Sequence, residues 1–322
     1  MKIIAVLTGG NAAERAISAG SARTVYDHLP RDRYRPYLIE LKNGRFVESE
    51  SGATLDLNDF SWRVGERRVR PDVVYGSIHG DPFENGKLQG YFDLVGIPYT
   101  GAAPTDMALT FDKQLTKIAL QPHRVPLARS VRLRRGETIS QETIARLAFP
   151  LFVKPNANGS SYGVSRVERS AELGAALDKG FGYDDSLLIE EFLDGREFTQ
   201  GVYRDTAGKT VVLPLTEIIT PNHFFDYEAK YQGRSEEVTP AAVSPDQATA
   251  VAAQTRLIYR VLGLRGVSRV DYILREEQFF VLEVNTVPGM SAASIIPQQC
   301  AVAGIPLGEL LHAVVRDASG KQ

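Results

Sequence analysis

Glu283-Val284-Asn285 and Arg269-Val270-Asp271 sit inside two short apolar runs near the C-terminal end of the chain. Side chains in a strand alternate faces, so Glu283 and Asn285 share one face, and Arg269 and Asp271 share a face of the neighbouring candidate strand. Aspartate, glutamate and asparagine together offer hard oxygen ligands, which suit magnesium bridging the phosphates of a nucleotide. The exposed face of an edge hairpin would give the same spacing, and spacing alone does not separate the two. A second cluster runs from Lys154 through Pro155, Asn156 and Asn158 to Gly159-Ser160-Ser161-Tyr162-Gly163. A lysine at the end of a strand is a point charge for phosphate, and small residues let backbone N–H groups approach anionic oxygens. A solvent-exposed loop would also be rich in glycine and serine. The third cluster is His79-Gly80-Asp81-Pro82-Phe83-Glu84-Asn85-Gly86, after an apolar run. Ligands of open α/β sheets gather beyond the carboxyl ends of strands; a turn with a helix cap is the plainer alternative.

The common nucleotide fingerprints are missing. Gly208-Lys209-Thr210 resembles the end of a P-loop, but Tyr203 stands where its first glycine belongs, and Gly9-Gly10 is not a G-x-G-x-x-G turn. The net charge of -2 supplies no bulk attraction for nucleic acid or an acidic membrane. One cysteine, Cys300, excludes an intrachain disulfide and a cysteine zinc site, and its expected place is the core. The apolar start of the chain stops at Thr8-Gly9-Gly10, too soon for the hydrophobic stretch of a leader, so a buried first strand and a cytoplasmic protein are expected.

The elements that must hold these clusters follow from periodicity. Lys2 to Leu7, Tyr37 to Leu41 and Val73 to Ile78 read as strands, with helices over residues 12 to 29 and 88 to 95. This alternation predicts an open α/β domain over residues 1–100. Residues 101–185 predict a sheet with helices on one face: a helix near Asp112 to Leu120, strands at 151–154 and 164–167, and a helix from a Ser170 cap to Lys179. Residues 186–322 open with a strand ending at Glu191, then a long hairpin, 197–203 with 210–219. The polar, aromatic stretch 221–243 reads as loop. Ser244-Pro245-Asp246-Gln247 predicts a helix start with a capping box, followed by strands at 267–274 and 279–284.

Taken in order, these stretches resemble the D-alanine–D-alanine ligase family over nearly the whole chain. The resemblance is carried by Gly9-Gly10 through Glu14, Ile78-His79-Gly80, Gly96-Ile97-Pro98-Tyr99-Thr100-Gly101, Phe111-Asp112-Lys113, and Phe152-Val153-Lys154-Pro155 with Gly159-Ser160-Ser161. Gly195-Arg196-Glu197-Phe198, Phe225-Asp226-Tyr227-Glu228-Ala229-Lys230-Tyr231, Arg269-Val270-Asp271-Tyr272, and Glu283-Val284-Asn285-Thr286 with Pro288-Gly289-Met290 complete it.

The resemblance implies a three-domain ATP-grasp fold of the α/β class, with a mobile loop at 221–237. It implies that two D-alanines are joined through an acyl phosphate, with ATP as co-substrate and two magnesium ions, replaceable by manganese, in a homodimer. By position, Lys113 and Lys154 resemble the phosphate-contacting lysines; Glu190, Phe192 and Leu193 the adenine edge; and Glu197 the ribose ligand. Asp271, Glu283 and Asn285 resemble the metal ligands. Glu14 resembles the residue that meets the ammonium of the first D-alanine, with His79 nearby, while Ser160 and Tyr231 resemble the pair that orients the loop. Arg269 and Gly289 resemble the oxyanion-stabilising pair, and Lys230 and Ser294 the ligands of the second carboxylate. Three positions depart from the family: Phe83 where glycine is frequent, which alters the turn, Asn85 for aspartate, and Phe225 for tyrosine. The competing readings are an ester-forming or other ATP-grasp ligase, against which Lys230-Tyr231 speaks, and a nucleotide sensor without turnover, against which the full set of acidic and lysine positions speaks.

Overall fold

The computed structural model describes residues 1–10, 14–159, 162–220 and 236–320. The first sheet has the order β3-β2-β1-β6, from β1 (Lys2–Gly9), β2 (Tyr34–Lys42), β3 (Arg45–Glu48) and β6 (Val73–Gly76). β1 runs parallel to both β2 and β6, and Ile4, Ala5, Val6 and Leu7 are fully buried between them, as a strand covered on both faces must be. The apolar start of the chain is therefore a central strand. α1 (Arg15–His28) and α2 (Lys87–Leu94) accompany this sheet, and β4 (Trp62–Val64) with β5 (Arg67–Val69) forms a separate hairpin.

The second sheet has the order β7-β10-β8-β9, from β7 (Ser130–Arg134), β8 (Leu151–Pro155), β9 (Ser165–Val167) and β10 (Ser186–Glu191). Its layer of Leu133, Val153, Leu187 and Ile189 is covered by α5 (Gln141–Leu147) and α6 (Ser170–Phe181). Two details differ from expectation. β10 pairs with both β7 and β8, so the sheet continues past residue 185 to Glu191. Ser170 is the first residue of α6 rather than its cap; Arg169 holds the cap position, and the Glu172 side chain takes the Glu168 N–H at 3.0 Å.

The third sheet has the order β13-β12-β11-β14-β15, antiparallel throughout: β11 (Arg196–Arg204), β12 (Thr210–Ile219), β13 (Glu236–Val238), β14 (Val267–Arg275) and β15 (Gln278–Asn285). β13 lies in a stretch expected to be loop; Glu-Glu-Val is too short and too polar to carry a strand pattern, and its pairing with Glu217–Ile219 makes it one. Residues 221–235 of that expected loop lie outside the described residues, and 239–243 form the irregular connection expected. α7 (Pro245–Val261) starts with the expected capping box of Ser244 and Gln247. α3 (Pro104–Phe111), α4 (Lys113–Leu120), α8 (Ile295–Val302) and α9 (Leu307–Ser319) complete the frame; α9 buries Leu310, Leu311, Val314 and Val315, and Cys300 of α8 is buried beside them. Among the described residues no helix is long and apolar enough to cross a membrane.

Phe83 shows how the first sheet absorbs an unusual residue. Its ring is 1% exposed and fills the space beside β6 where a side chain would otherwise stand: a Cβ on Gly76 would lie 1.9 Å from its Cζ. The turn around it bends through Gly80 and Gly86, both at positive φ, which glycine adopts without strain. Gly76→Ala should therefore destabilise the fold by about 1–3 kcal/mol through overpacking. In urea unfolding, Gly76→Ala combined with Phe83→Leu should cost clearly less than the sum of the single changes. Strict additivity would show that the ring and the glycine do not share that space.

Candidate active site

One face of the third sheet gathers Glu197, Arg269, Asp271, Glu283 and Asn285. The register sets Asp271 opposite Glu283 and Arg269 opposite Asn285, and on the other side of β14 it sets Thr199 opposite Asp271. Directly paired residues project to the same face, so strand pairing alone brings these side chains together. Asp271, 7% exposed, is the hub. Arg269 closes a two-nitrogen fork on it at 2.8 and 2.8 Å, the Thr199 hydroxyl donates at 2.5 Å, and the Asn285 amide donates at 3.2 Å. Glu283 faces the Lys113 ammonium at 3.8 Å.

Lys113 opens α4, whose first turn is capped by Asp112 through the Leu115 N–H at 2.8 Å. Buried Asn156, just past β8, ties that turn to the second sheet by accepting the Gln114 N–H, and Lys113 itself donates to the Asn158 carbonyl at 2.7 Å. Lys154 points the same way and meets Glu190 of β10 at 2.5 Å. Lys117 also pairs with Glu190, one turn after Lys113 on α4. Sequence reading missed Lys117, although the i, i+4 spacing with Lys113 puts both on one helix face. Burial alone would push the Glu190 carboxyl up, but the Lys154 and Lys117 ammoniums outweigh it and hold it below the ordinary glutamate value. Beyond this pair a cleft opens, lined by Glu190, Glu191, Phe192, Leu193, Glu197 and Leu282. Arg166, also missed, lays its guanidinium over the Phe192 ring at 4.3 Å.

The cleft continues past Glu190 and Glu197 along Lys113, Lys154, Gly159 and Glu283, and across Glu283 and Gly159 it adjoins a second cleft lined by Glu14, His79, Glu84, Arg269, Asn285, Gly289 and Ser294. Glu14 is wedged between two backbones: a Cβ on Gly80 would lie 2.4 Å from its Oε2, and one on Gly159 would lie 2.8 Å from its Oε1. Burial, with help from Arg269, pushes the His79 imidazole down to about 4, so it is neutral at pH 7. Ser18 takes the His79 N–H at 3.1 Å; Ser21 touches its Nε2 at 3.3 Å and accepts the Met290 N–H at 3.1 Å, joining α1 to the loop after β15. Burial pushes Glu84 up to about 7, against the hydrogen bond it accepts from the Gly80 N–H. Ser294 sits so near Gly289 that a Cβ there would lie 2.8 Å from its Oγ. α8 is locked to the sheet by Gln299, whose amide donates to the Thr199 carbonyl and the Thr216 hydroxyl and accepts the Gly201 N–H. Gln298-Gln299 in an otherwise apolar helix was the available signal for that lock. Ser160, Lys230, Tyr231 and Phe225 lie outside the described residues.

Two family models match: that for the D-ala D-ala ligase N-terminus over residues 3–102, and that for the D-ala D-ala ligase C-terminus over residues 116–316. The chain belongs to the D-alanine–D-alanine ligase family. It is 40% identical over 321 residues to the D-alanine–D-alanine ligase of Parabacteroides distasonis, covering 98% of this chain and 97% of that protein. The crystal structure of the VanG D-Ala:D-Ser ligase from Enterococcus faecalis matches with a TM-score of 0.87 at 27% identity, over 98% of this chain and 99% of that one. D-alanyl-alanine synthetase A from Vibrio cholerae matches with a TM-score of 0.86 at 27% identity, over 99% and 98%. The fold is that of the ATP-grasp ligases.

For a member of this ligase family, the buried Glu190 between two lysines is a costly arrangement that its charges must balance. Removing the carboxylate leaves two ammoniums without their shared partner, so Glu190→Gln should lose about 3–5 kcal/mol at pH 7. Because the folded carboxyl is held below its ordinary value of 4.5, its contribution is complete above that value and is lost as the pH falls through the depressed one. Urea unfolding of both proteins across the acid range should show their difference shrinking; a difference that does not change with pH would remove this account.

Proposed function

We propose that this chain joins two molecules of D-alanine into D-alanyl-D-alanine, a peptidoglycan precursor, converting ATP to ADP and phosphate. The observation that carries the reading is the convergence, on one face of the third sheet, of Arg269, Asp271, Glu283 and Asn285 between the two adjoining clefts, in a chain of this ligase family. One cleft suits a nucleotide: an aromatic and aliphatic wall at Phe192 and Leu193, Glu197 for a ribose, and Lys113 and Lys154 at its inner end. The other suits two small amino acids.

In the first step the carboxylate of one D-alanine attacks the γ-phosphorus of ATP. An O–P bond forms, the bond to ADP breaks, and an acyl phosphate results. Lys113 and Lys154 offset the charge that builds on the phosphate oxygens, since positioning and electrostatics dominate phosphoryl transfer. Glu14 holds the ammonium of this D-alanine, and neutral His79 beside it adds no competing charge. In the second step the ammonium of the other D-alanine gives up a proton to water and the free amine forms the C–N bond, the C–O bond to phosphate breaks, phosphate leaves with the electron pair, and the second nitrogen proton passes to the departing phosphate. Arg269 and the Gly289 N–H stabilise the oxyanion between these events, each donor worth about 3 kcal/mol. Ser294 holds the second carboxylate; the roles that the family resemblance gives to Lys230, Ser160 and Tyr231 fall on residues outside the described ones.

The donor set at the sheet fits magnesium. Among the described residues no three acidic, histidine or cysteine side chains converge, so the third ligand beside Asp271 and Glu283 is the Asn285 amide, still an oxygen donor of the kind hard cations take. Magnesium, when bound there, supplies positive charge that neutralises the phosphates. The same reading implies work in the cytoplasm, where ATP is found, as a homodimer; light scattering should give twice the chain mass of 35.4 kDa.

ADP release on adding D-alanine, with the product weighed by mass spectrometry, tests the reaction. Dipeptide from D-alanine and none from L-alanine is the expected result; no ADP release with any D-amino acid would overturn it. Glu283→Ala should abolish turnover while the circular dichroism stays native, and near-native activity at ordinary magnesium would remove Glu283 from the metal site.

A further inference from the structure

Glu237 is the middle residue of β13, and its register partner is Ile218 of β12, which pairs in turn with Glu197 of β11. Paired residues share a face, so Glu237 projects from the face that carries Glu197, Asp271 and Glu283. It lines the amino-acid cleft with Arg269, Gly289 and Ser294. Its Oε2 accepts a hydrogen bond from Gln298 Nε2 at 2.9 Å, and Gln298 lies one helical turn after Ser294. Among the described residues Glu237 makes no ion pair, so its one side-chain donor is a neutral amide. Burial pushes its carboxyl up, with Gln298 and Arg269 acting the other way.

The cleft thus holds a partly buried carboxylate on the wall it shares with Ser294 and Arg269, the groups assigned above to the second carboxylate and to the oxyanion. A molecule whose carboxylate Ser294 holds lies in the cleft that Glu237 lines, with its α-substituent free to meet that wall. An amino acid brings an ammonium there, whereas a hydroxy acid of the same shape brings a neutral hydroxyl. Hydrogen bonds to charged groups are stronger than those between neutral ones, and more so in a cleft that excludes water.

We propose that Glu237 reads the α-ammonium of the second substrate and so makes this subsite select an amino acid over the matching hydroxy acid. The inference rests on the dipeptide-ligase reading above. It is distinct from a purely structural role in which Glu237 braces α8 through Gln298, and two variants separate them. Glu237→Gln removes the charge but keeps an oxygen that can accept from Gln298. Gln298→Leu removes the brace but keeps the charge.

Steady-state kinetics that separates the two D-alanine KM values is the test, together with product analysis from an equal mixture of D-alanine and D-lactate. Glu237→Gln should raise the KM of the second D-alanine by about ten-fold or more, leave the KM values of ATP and of the first D-alanine within about two-fold, and shift products toward D-alanyl-D-lactate. Gln298→Leu should leave the product ratio near that of the unmodified enzyme. If Glu237→Gln changes neither the second KM nor the ratio while the unmodified enzyme makes dipeptide normally, this inference alone is overturned. The same outcome follows if Gln298→Leu reproduces the Glu237→Gln pattern. If the unmodified enzyme makes no dipeptide, the underlying reading falls and this inference with it.

Discussion

The antiparallel register between β14 and β15 is the constraint on which the rest of the site depends. It sets Asp271 against Glu283 and Arg269 against Asn285 on one face. A slip of β15 by one residue would turn Glu283 and Asn285 to the opposite side and bring Val284 into the cleft. The apolar residues between them prevent the slip, because Val270, Tyr272 and Val281 are buried on the other face against α7 and its neighbours. The chemistry-bearing face is therefore held in place by hydrophobic burial on the face that does no chemistry.

The elements around this sheet are attached to the site by buried polar locks, not by apolar contact alone. Gln299 spends its whole amide on β11 and β12, which sets where α8 begins and hence where Ser294 stands. Asn156 does the same for the first turn of α4 and for Lys113. Ser21 links His79 to the backbone of Met290 across two parts of the chain. An unmade hydrogen bond inside a protein costs more than a made one contributes, so such locks specify position strongly for a modest gain in stability.

Charge is distributed unevenly over the two clefts. The lysines lie at the inner end of the cleft proposed for the nucleotide, where Glu190 holds two of them close together, while the cleft proposed for the amino acids carries Glu14, Glu84 and Glu237 around Arg269. Carboxylates gathered in a partly dry space repel one another, and burial and repulsion together push Glu84 up to about 7. An ammonium group placed there would relieve that repulsion, and a polyphosphate is matched by the lysine side, which is the division the proposed reaction uses.

Much of this was legible in the sequence because it is local. Alternation along 269–271 and 283–285 dictates which side chains share a face, the Ser244-Pro245-Gln247 pattern dictates a helix start, and the apolar run at the start of the chain dictates a covered strand. The order of motifs carried the family. Elements that lack a periodic signal, such as Glu236–Val238, or that are short and polar, such as Arg45–Glu48, exist only because a neighbouring strand satisfies their backbone. The same reason hid Lys117, Gln299 and Glu237: each has an ordinary residue type in an ordinary segment, and its partner lies 73, 83 or 61 positions away. A sequence sets which faces are apolar and which residues neighbour one another along one element. Only packing of distant elements decides which charges meet, because burial and proximity, the two quantities that set electrostatic strength, do not exist until the chain has folded.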